Sequence, residues 1–217
     1  MKHLIIEGCD RTGKDSLIKN LMPYCQNLVV THFSTPSGQT DLEKRKYQEN
    51  SFNKEFSKSY WFMKSDFFDE PKKGKMNLLV WNRAHLGEFV YGNLYRQTNP
   101  EEWVMKLEEM YEYDRMDNVY LLLLVGDPEY LSSKDDGESF ASSVEARKKE
   151  IENFKSAFDI SQIQKKLIID VTTLKTTVSS ERRISNNFEE VSTKTITSPV
   201  YKPQENILQE VLQFLNS

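Results

Sequence analysis

The segment Leu4-Ile5-Ile6-Glu7-Gly8-Cys9-Asp10-Arg11-Thr12-Gly13-Lys14-Asp15-Ser16 constrains this chain more than any other. A compact apolar run leads into G-x-x-x-x-G-K and an amphipathic stretch follows, so the motif sits between a predicted strand and a predicted helix. Gly8 and Gly13 let the backbone curl until successive N–H groups point inward at one anion. The helix that starts at Gly13 adds the positive end of its dipole. Lys14 adds a mobile charge of the kind that meets the outer phosphates of a nucleotide. Only a strand and a helix held in register can present such a loop, so an α/β frame is expected.

The rest of the chain repeats that grammar. Short β-branched runs at 4–7, 28–33, 77–81, 119–125 and 167–171 read as strands, and the fourth is apolar throughout, as a strand buried on both faces should be. Helical spacing covers 13–23, 41–68 (as one helix or two), 84–96, 100–115, 142–160 and 204–215. The alternation predicts one domain over 1–217, an α/β fold with a doubly wound, parallel, five-stranded sheet flanked by helices. The polar stretch 132–139 reads as a short lid, with Gly137 as a flexible point and Lys134 as a cation that can approach phosphates. The Ser/Thr-rich stretch 172–202 has weak periodicity and reads as an irregular excursion before the last helix.

Net charge is −4, from 29 Lys and Arg against 33 Asp and Glu, which argues against a protein that tracks a long phosphate backbone but suits one that binds a small nucleotide. Cys9 and Cys25 match no metal spacing and read as free thiols in a reducing compartment. Residues 1–6 lead directly into a strand, and no apolar run approaches the roughly 20 residues that span a bilayer, so a cytoplasmic protein without membrane contact is expected. His3, His32 and His85 are scattered and form no ligand set, and His85 reads as a surface or helix-start residue.

A Ser or Thr normally follows the loop lysine and ligates magnesium. Here Asp15 follows, with Ser16 next, and a carboxylate can hold the same metal. Glu7-Gly8-Cys9-Asp10-Arg11-Thr12-Gly13-Lys14 resembles the opening of thymidylate kinases, and the Gly-Lys-Asp variant is similar to that of phage deoxynucleoside monophosphate kinases. The resemblance implies ATP and Mg2+ as cofactors, with Gly8 through Ser16 (Gly8, Cys9, Asp10, Arg11, Thr12, Gly13, Lys14, Asp15, Ser16) around the nucleotide. It implies that Asp10 contacts the sugar of the acceptor and that Arg11 stabilises the transferring phosphoryl group, a role that elementary electrostatics also supports. It also carries the expectation of a homodimer.

A second constellation lies at 78–83, a strand ending in Asn82-Arg83, where doubly wound sheets bind ligands. Thymidylate kinases carry Asp-Arg there, followed by a helix with a tyrosine and a base-reading glutamine. Arg83 and Tyr91 match and are expected to bind substrate, Arg83 also catalytically; Asn82 and Gly92 depart from the pattern. Phe62 fits the family's base-stacking position, but Asp66 stands where an arginine is expected. The stretch 31–38 keeps a proline turn and lacks the phosphate-binding arginine, for which Lys44, Arg45 and Lys46 are candidate replacements. An amide at 82 cannot act as a general base, which favours an already ionised monophosphate acceptor unless Glu7 or Glu88 supplies the base. Two other readings stay open: a kinase acting on a nucleoside or on a hydroxymethylated pyrimidine in DNA, and a catalytically weak nucleotide-binding protein.

Overall fold

The computed structural model describes residues 1–33, 35–65, 68–137, 139–141, 143–185 and 188–217. Five strands, β1 (Lys2–Glu7), β2 (Cys25–His32), β3 (Met76–Asn82), β4 (Val119–Val125) and β5 (Lys165–Asp170), form one sheet in the order β2-β3-β1-β4-β5. Every pairing in it is parallel. All five lie where apolar runs predict them; the inner strands β1, β3 and β4 are covered on both faces and are apolar along most of their length, whereas the edge strands β2 and β5 are only partly buried.

The sheet separates two cores. Ile5, Trp81, Leu121 and Leu123 face one side, under α2 (Asp41–Lys64), α3 (His85–Tyr91) and α6 (Val144–Ile160). Leu4, Ile6, Leu78 and Val80 face the other, against α1 (Lys14–Leu21) and α7 (Gln204–Leu215). Each fully buried aliphatic or aromatic side chain of this kind contributes about 1.5–3 kcal/mol. Within the predicted 41–68 stretch the single helix α2 covers Asp41–Lys64, started by a capping box in which the Thr40 side chain accepts from Glu43 N and the Glu43 carboxylate accepts from Thr40 N.

Two stretches differ from expectation. Residues 100–115 hold a 3₁₀ turn at Pro100–Glu102, the short helix α4 (Lys106–Met110) and another 3₁₀ turn at Tyr113–Arg115. Trp103 leaves helical geometry and its ring approaches Phe52, so tertiary packing overrides the local helical preference. The 172–202 excursion is corrected more fully: β6 (Thr172–Ser185) and β7 (Phe188–Tyr201) pair antiparallel from Thr172↔Tyr201 to Ser185↔Phe188, as a separate two-stranded sheet. The Thr and Val content suits strands, but apolar residues are too few and scattered in 172–202 for a period of two to show in the sequence. Main-chain bonds from Val171 N to Val125 O (2.7 Å) and from Lys202 N to Val171 O (2.8 Å) root the ribbon beside β4. Among the described residues no helix is long and apolar enough to cross a membrane.

Candidate active site

β1 ends at Glu7 and the chain turns at once. Gly8 has φ 136°, and a Cβ there would lie 2.2 Å from Leu124 O. Gly13 has φ 83°, and a Cβ there would lie 2.0 Å from the Tyr201 hydroxyl. Gly8 therefore requires glycine on two counts, backbone conformation and space against main chain, whereas at Gly13 the conformation decides, since the atom in the way is the end of a side chain. The Tyr201 hydroxyl donates to Thr12 O (2.9 Å), so the root of the β6–β7 ribbon rests on the loop. Thr12 Oγ1 donates to Cys9 O (2.9 Å), closing the turn from inside.

Lys14 is buried, and its Nζ donates to Gly8 O and Cys9 O at 2.7 Å each. Burial, and after it the nearby Arg83 charge, draw its pKa down to about 8. Burial pushes the Cys9 thiol up to about 12, so that sulfur is an unreactive packing group.

β3 runs beside β1 with Ile6 opposite Asn82, and Arg83 N donates to Ile6 O (3.0 Å). This register brings the second constellation to the loop. The Arg83 guanidinium, on a left-handed residue (φ 62°), pairs with the Asp10 carboxylate. Arg11, also left-handed (φ 69°), pairs with Asp136 of the 132–139 segment. Asn82 Nδ2 donates to Asp15 Oδ1. Two non-glycine residues in the left-handed region beside one cavity is a strained arrangement of the kind that collects at functional sites.

These residues enclose a cavity of about 720 Å³ lined by Asp10, Arg11, Gly13, Lys14, Asp15, Ser16, His32, Phe33, Asn82, Arg83, Asp136 and Ser139. Magnesium suits this donor set. Asp15 is an exposed carboxylate at the cavity wall with the Ser16 hydroxyl beside it, and the buried Asn82 Oδ1 next to them has no partner. Magnesium needs only one or two protein oxygens when phosphates supply others.

A smaller cleft of about 50 Å³ opens from the same place, sharing Phe33 and Arg83 with the large cavity. Tyr91 lines it as expected, together with Pro36 of the predicted turn. Phe62 does not: it lies ten residues beyond Phe52 on α2, about 15 Å along the axis, and its ring sits against Phe68. Phe52, which packs on Phe33 with ring centres 4.7 Å apart, is the α2 aromatic at this cleft. Asp66 lies outside the described residues.

Other expectations shift as well. Lys134 lies over the Tyr130 ring rather than at the cavity, and the 132–139 segment contributes Asp136 and Ser139 instead. Arg45 pairs with Glu49 and Glu102, and Lys44 with Asp41; neither these nor Lys46 lines the cavity. His85 is a fully buried core residue, its Nε2 2.6 Å from Glu108 Oε1. Glu7 is sealed away from the cavity, accepting from Gly87 N (3.2 Å), and burial raises its pKa. Neither Glu7 nor Glu88 lines the cavity that holds Lys14, so neither of these two supplies a base there in place of Asn82.

Arg147 escapes the motif search altogether. It is fully buried on α6, donating to Glu150 Oε2 (3.0 Å) and to Asp135 Oδ2 (3.4 Å) of the lid segment. A signal existed: Arg147, Glu150, Ile151, Phe154, Ala157 and Phe158 form the buried stripe of α6, and two charges within an apolar stripe mark an internal ion pair.

No protein-family model matches the chain, and no curated protein matches it. Solved structures do. YorR from Bacillus subtilis, solved in complex with phosphorylated GDP, aligns with a TM-score of 0.52 at 13% identity over 77% of this chain and 85% of its own. Thymidylate kinase from Candida albicans aligns with a TM-score of 0.50 at 16% identity over 78% and 83%. The fold is that of a thymidylate kinase-like P-loop kinase. Within this fold the loop after β1, Gly8–Ser16, and the end of β3, Asn82-Arg83, stand side by side.

Proposed function

We propose that this protein transfers the γ-phosphoryl group of ATP to a deoxynucleoside monophosphate. One observation carries the reading: the phosphate loop and the cationic end of β3 open into a single cavity, with Lys14, Arg11 and Arg83 all on its wall. That arrangement can hold two phosphate groups in line, and positioning of this kind supplies much of the catalysis in phosphoryl transfer. The two structural neighbours are in keeping with it, one a thymidylate kinase and the other solved with phosphorylated GDP.

The residues divide the work. Lys14 exchanges the carbonyls of Gly8 and Cys9 for phosphate oxygens, and its charged form is then favoured. Arg11 leaves Asp136 to neutralise charge that grows on the transferring group. Arg83 holds the acceptor phosphate, while Asp10 accepts a hydrogen bond from its sugar. Asp15 and Ser16 would hold magnesium, which neutralises the donor phosphates when bound. Asn82 orients Asp15 and takes no proton, which a monophosphate acceptor does not require.

Labelled ATP offered with deoxynucleosides, their monophosphates and hydroxymethylated DNA tests this. Transfer to monophosphates, reduced about 10²–10³-fold in Lys14→Ala, is the expected result. Transfer to a nucleoside but not to its monophosphate would overturn it, and nucleotide binding with no transfer to any acceptor would mark a binding protein.

A further inference from the structure

The resemblance leaves the acceptor base without readers, since Gly92 stands where a glutamine is expected. The structure gives Gly92 another purpose. A Cβ there would lie 2.5 Å from Thr98 Oγ1 and 2.9 Å from Glu88 Oε1, so the missing side chain makes room for a buried polar cluster. Glu88, 2% exposed, accepts from Thr98 Oγ1 (2.8 Å), Gln48 Nε2 (3.2 Å) and the Arg96 guanidinium. The chain arranges this by following α3 with a wide π-type turn, Gly92–Arg96, and then a left-handed Gln97, which fold Arg96 and Thr98 back over Glu88. Burial raises the Glu88 carboxyl while Arg96 and the other donors oppose that rise.

Gln48, Glu88 and Arg96 line the small cleft, whose walls are aromatic and which joins the large cavity at Phe33 and Arg83. Two polar groups on these lining residues are left without a protein partner. The Arg96 side chain is only 9% exposed, and its buried Nε–H has no partner, an arrangement that is unfavourable until an acceptor meets it. Gln48 gives its Nε2 to a carboxylate that can only accept, so the amide is fixed and its Oε1 is left as an acceptor.

Resting on the kinase reading above, we propose that Gln48 and Arg96, held by Glu88, read the acceptor base and select one with a carbonyl beside a ring N–H, as in thymine, uracil and guanine. The cationic Nε–H favours a carbonyl oxygen and repels an exocyclic amino group. The adjoining ring N–H then donates to Gln48 Oε1. Cytosine and adenine carry an amino group beside an unprotonated ring nitrogen, which sets a donor against the arginine.

Titration calorimetry of the full chain with dTMP, dGMP, dCMP and dAMP tests the assignment. dTMP and dGMP should bind about tenfold or more tighter than dCMP and dAMP. Gln48→Met, which keeps the shape, and Arg96→Lys, which keeps the charge without the Nε–H, should each bring that ratio toward one by weakening the first pair. The wild-type ratio decides the question even if a variant fails to fold. Equal affinity for all four, preference for the amino bases, no binding of any, or an unchanged ratio in both folded variants would overturn it. Transfer from ATP is measured on the same samples: selective binding without transfer sinks the kinase reading and leaves this one, whereas equal kcat/KM for all four does the reverse.

Discussion

The Gly8–Ser16 loop and the small aromatic cleft beside it are built in opposite ways. The loop is built from nine consecutive residues, Gly8 to Ser16, and its shape comes from backbone geometry, with Gly8 and Gly13 in conformations other residues resist. The cleft is built from side chains on separate segments: Gln48 and Phe52 on α2, Glu88 and Tyr91 on α3, Arg96 beyond it and Phe140 after the lid segment. A backbone device tolerates little change and needs no distant partner. A side-chain device can be rebuilt from other residues, as the cleft is here.

The largest effect should come from Arg11→Ala. If Arg11 carries the charge of transfer, kcat should fall by roughly 10³-fold or more, with nucleotide affinity changed far less. A loss confined to KM would make Arg11 a binding residue and would blur the division between the two regions. Gly8→Ala comes next. Its Cβ would meet a main-chain oxygen at 2.2 Å in a left-handed conformation, and a loss of about 3 kcal/mol or more in unfolding free energy is expected. Gly137→Ala is the control: φ is also positive (85°), but nothing lies within 4 Å, and the cost should stay near 1 kcal/mol. Equal costs by chemical denaturation would show that space is not what fixes the loop.

Gly92→Gln restores the residue the resemblance expects, yet should weaken acceptor binding by about 1–3 kcal/mol because it displaces Thr98 from Glu88. Improved affinity for dTMP in that variant would break the contrast drawn for the cleft. The smallest effect concerns Lys14. Its pKa is about 8 in the free fold and ordinarily 10.5, so the unfolded chain binds more protons between these values and the free protein gains stability as pH rises through that window. Nucleotide binding restores the charge, so above pH 8 it should take up a proton, visible as a buffer-dependent binding enthalpy that Lys14→Arg abolishes.

Much of the fold is legible in the sequence because buried parallel strands must be apolar and helices must carry a stripe; β4 and α7 show both plainly. The loop is legible because its residues are contiguous. The β6–β7 ribbon is not, since its Ser/Thr-rich sequence shows no alternation of apolar and polar residues to read. Phe62 and Phe52 lie on one helix, and only the placement of α2 against β3 and α3 decides which meets the cleft. Gln48 and Arg96 look like solvated helix polarity until tertiary structure buries them.

The cavity wall carries three carboxylates, Asp10, Asp15 and Asp136, against three cations, Arg11, Lys14 and Arg83. Taken together the vestibule is electrically balanced, so it offers no long-range pull on a bare polyanion. On the kinase reading proposed above, a triphosphate should therefore be captured together with its divalent ion, as a partly neutralised package. Capture rates should vary little with ionic strength, and the protein should discriminate against nucleotide stripped of metal before any chemistry begins.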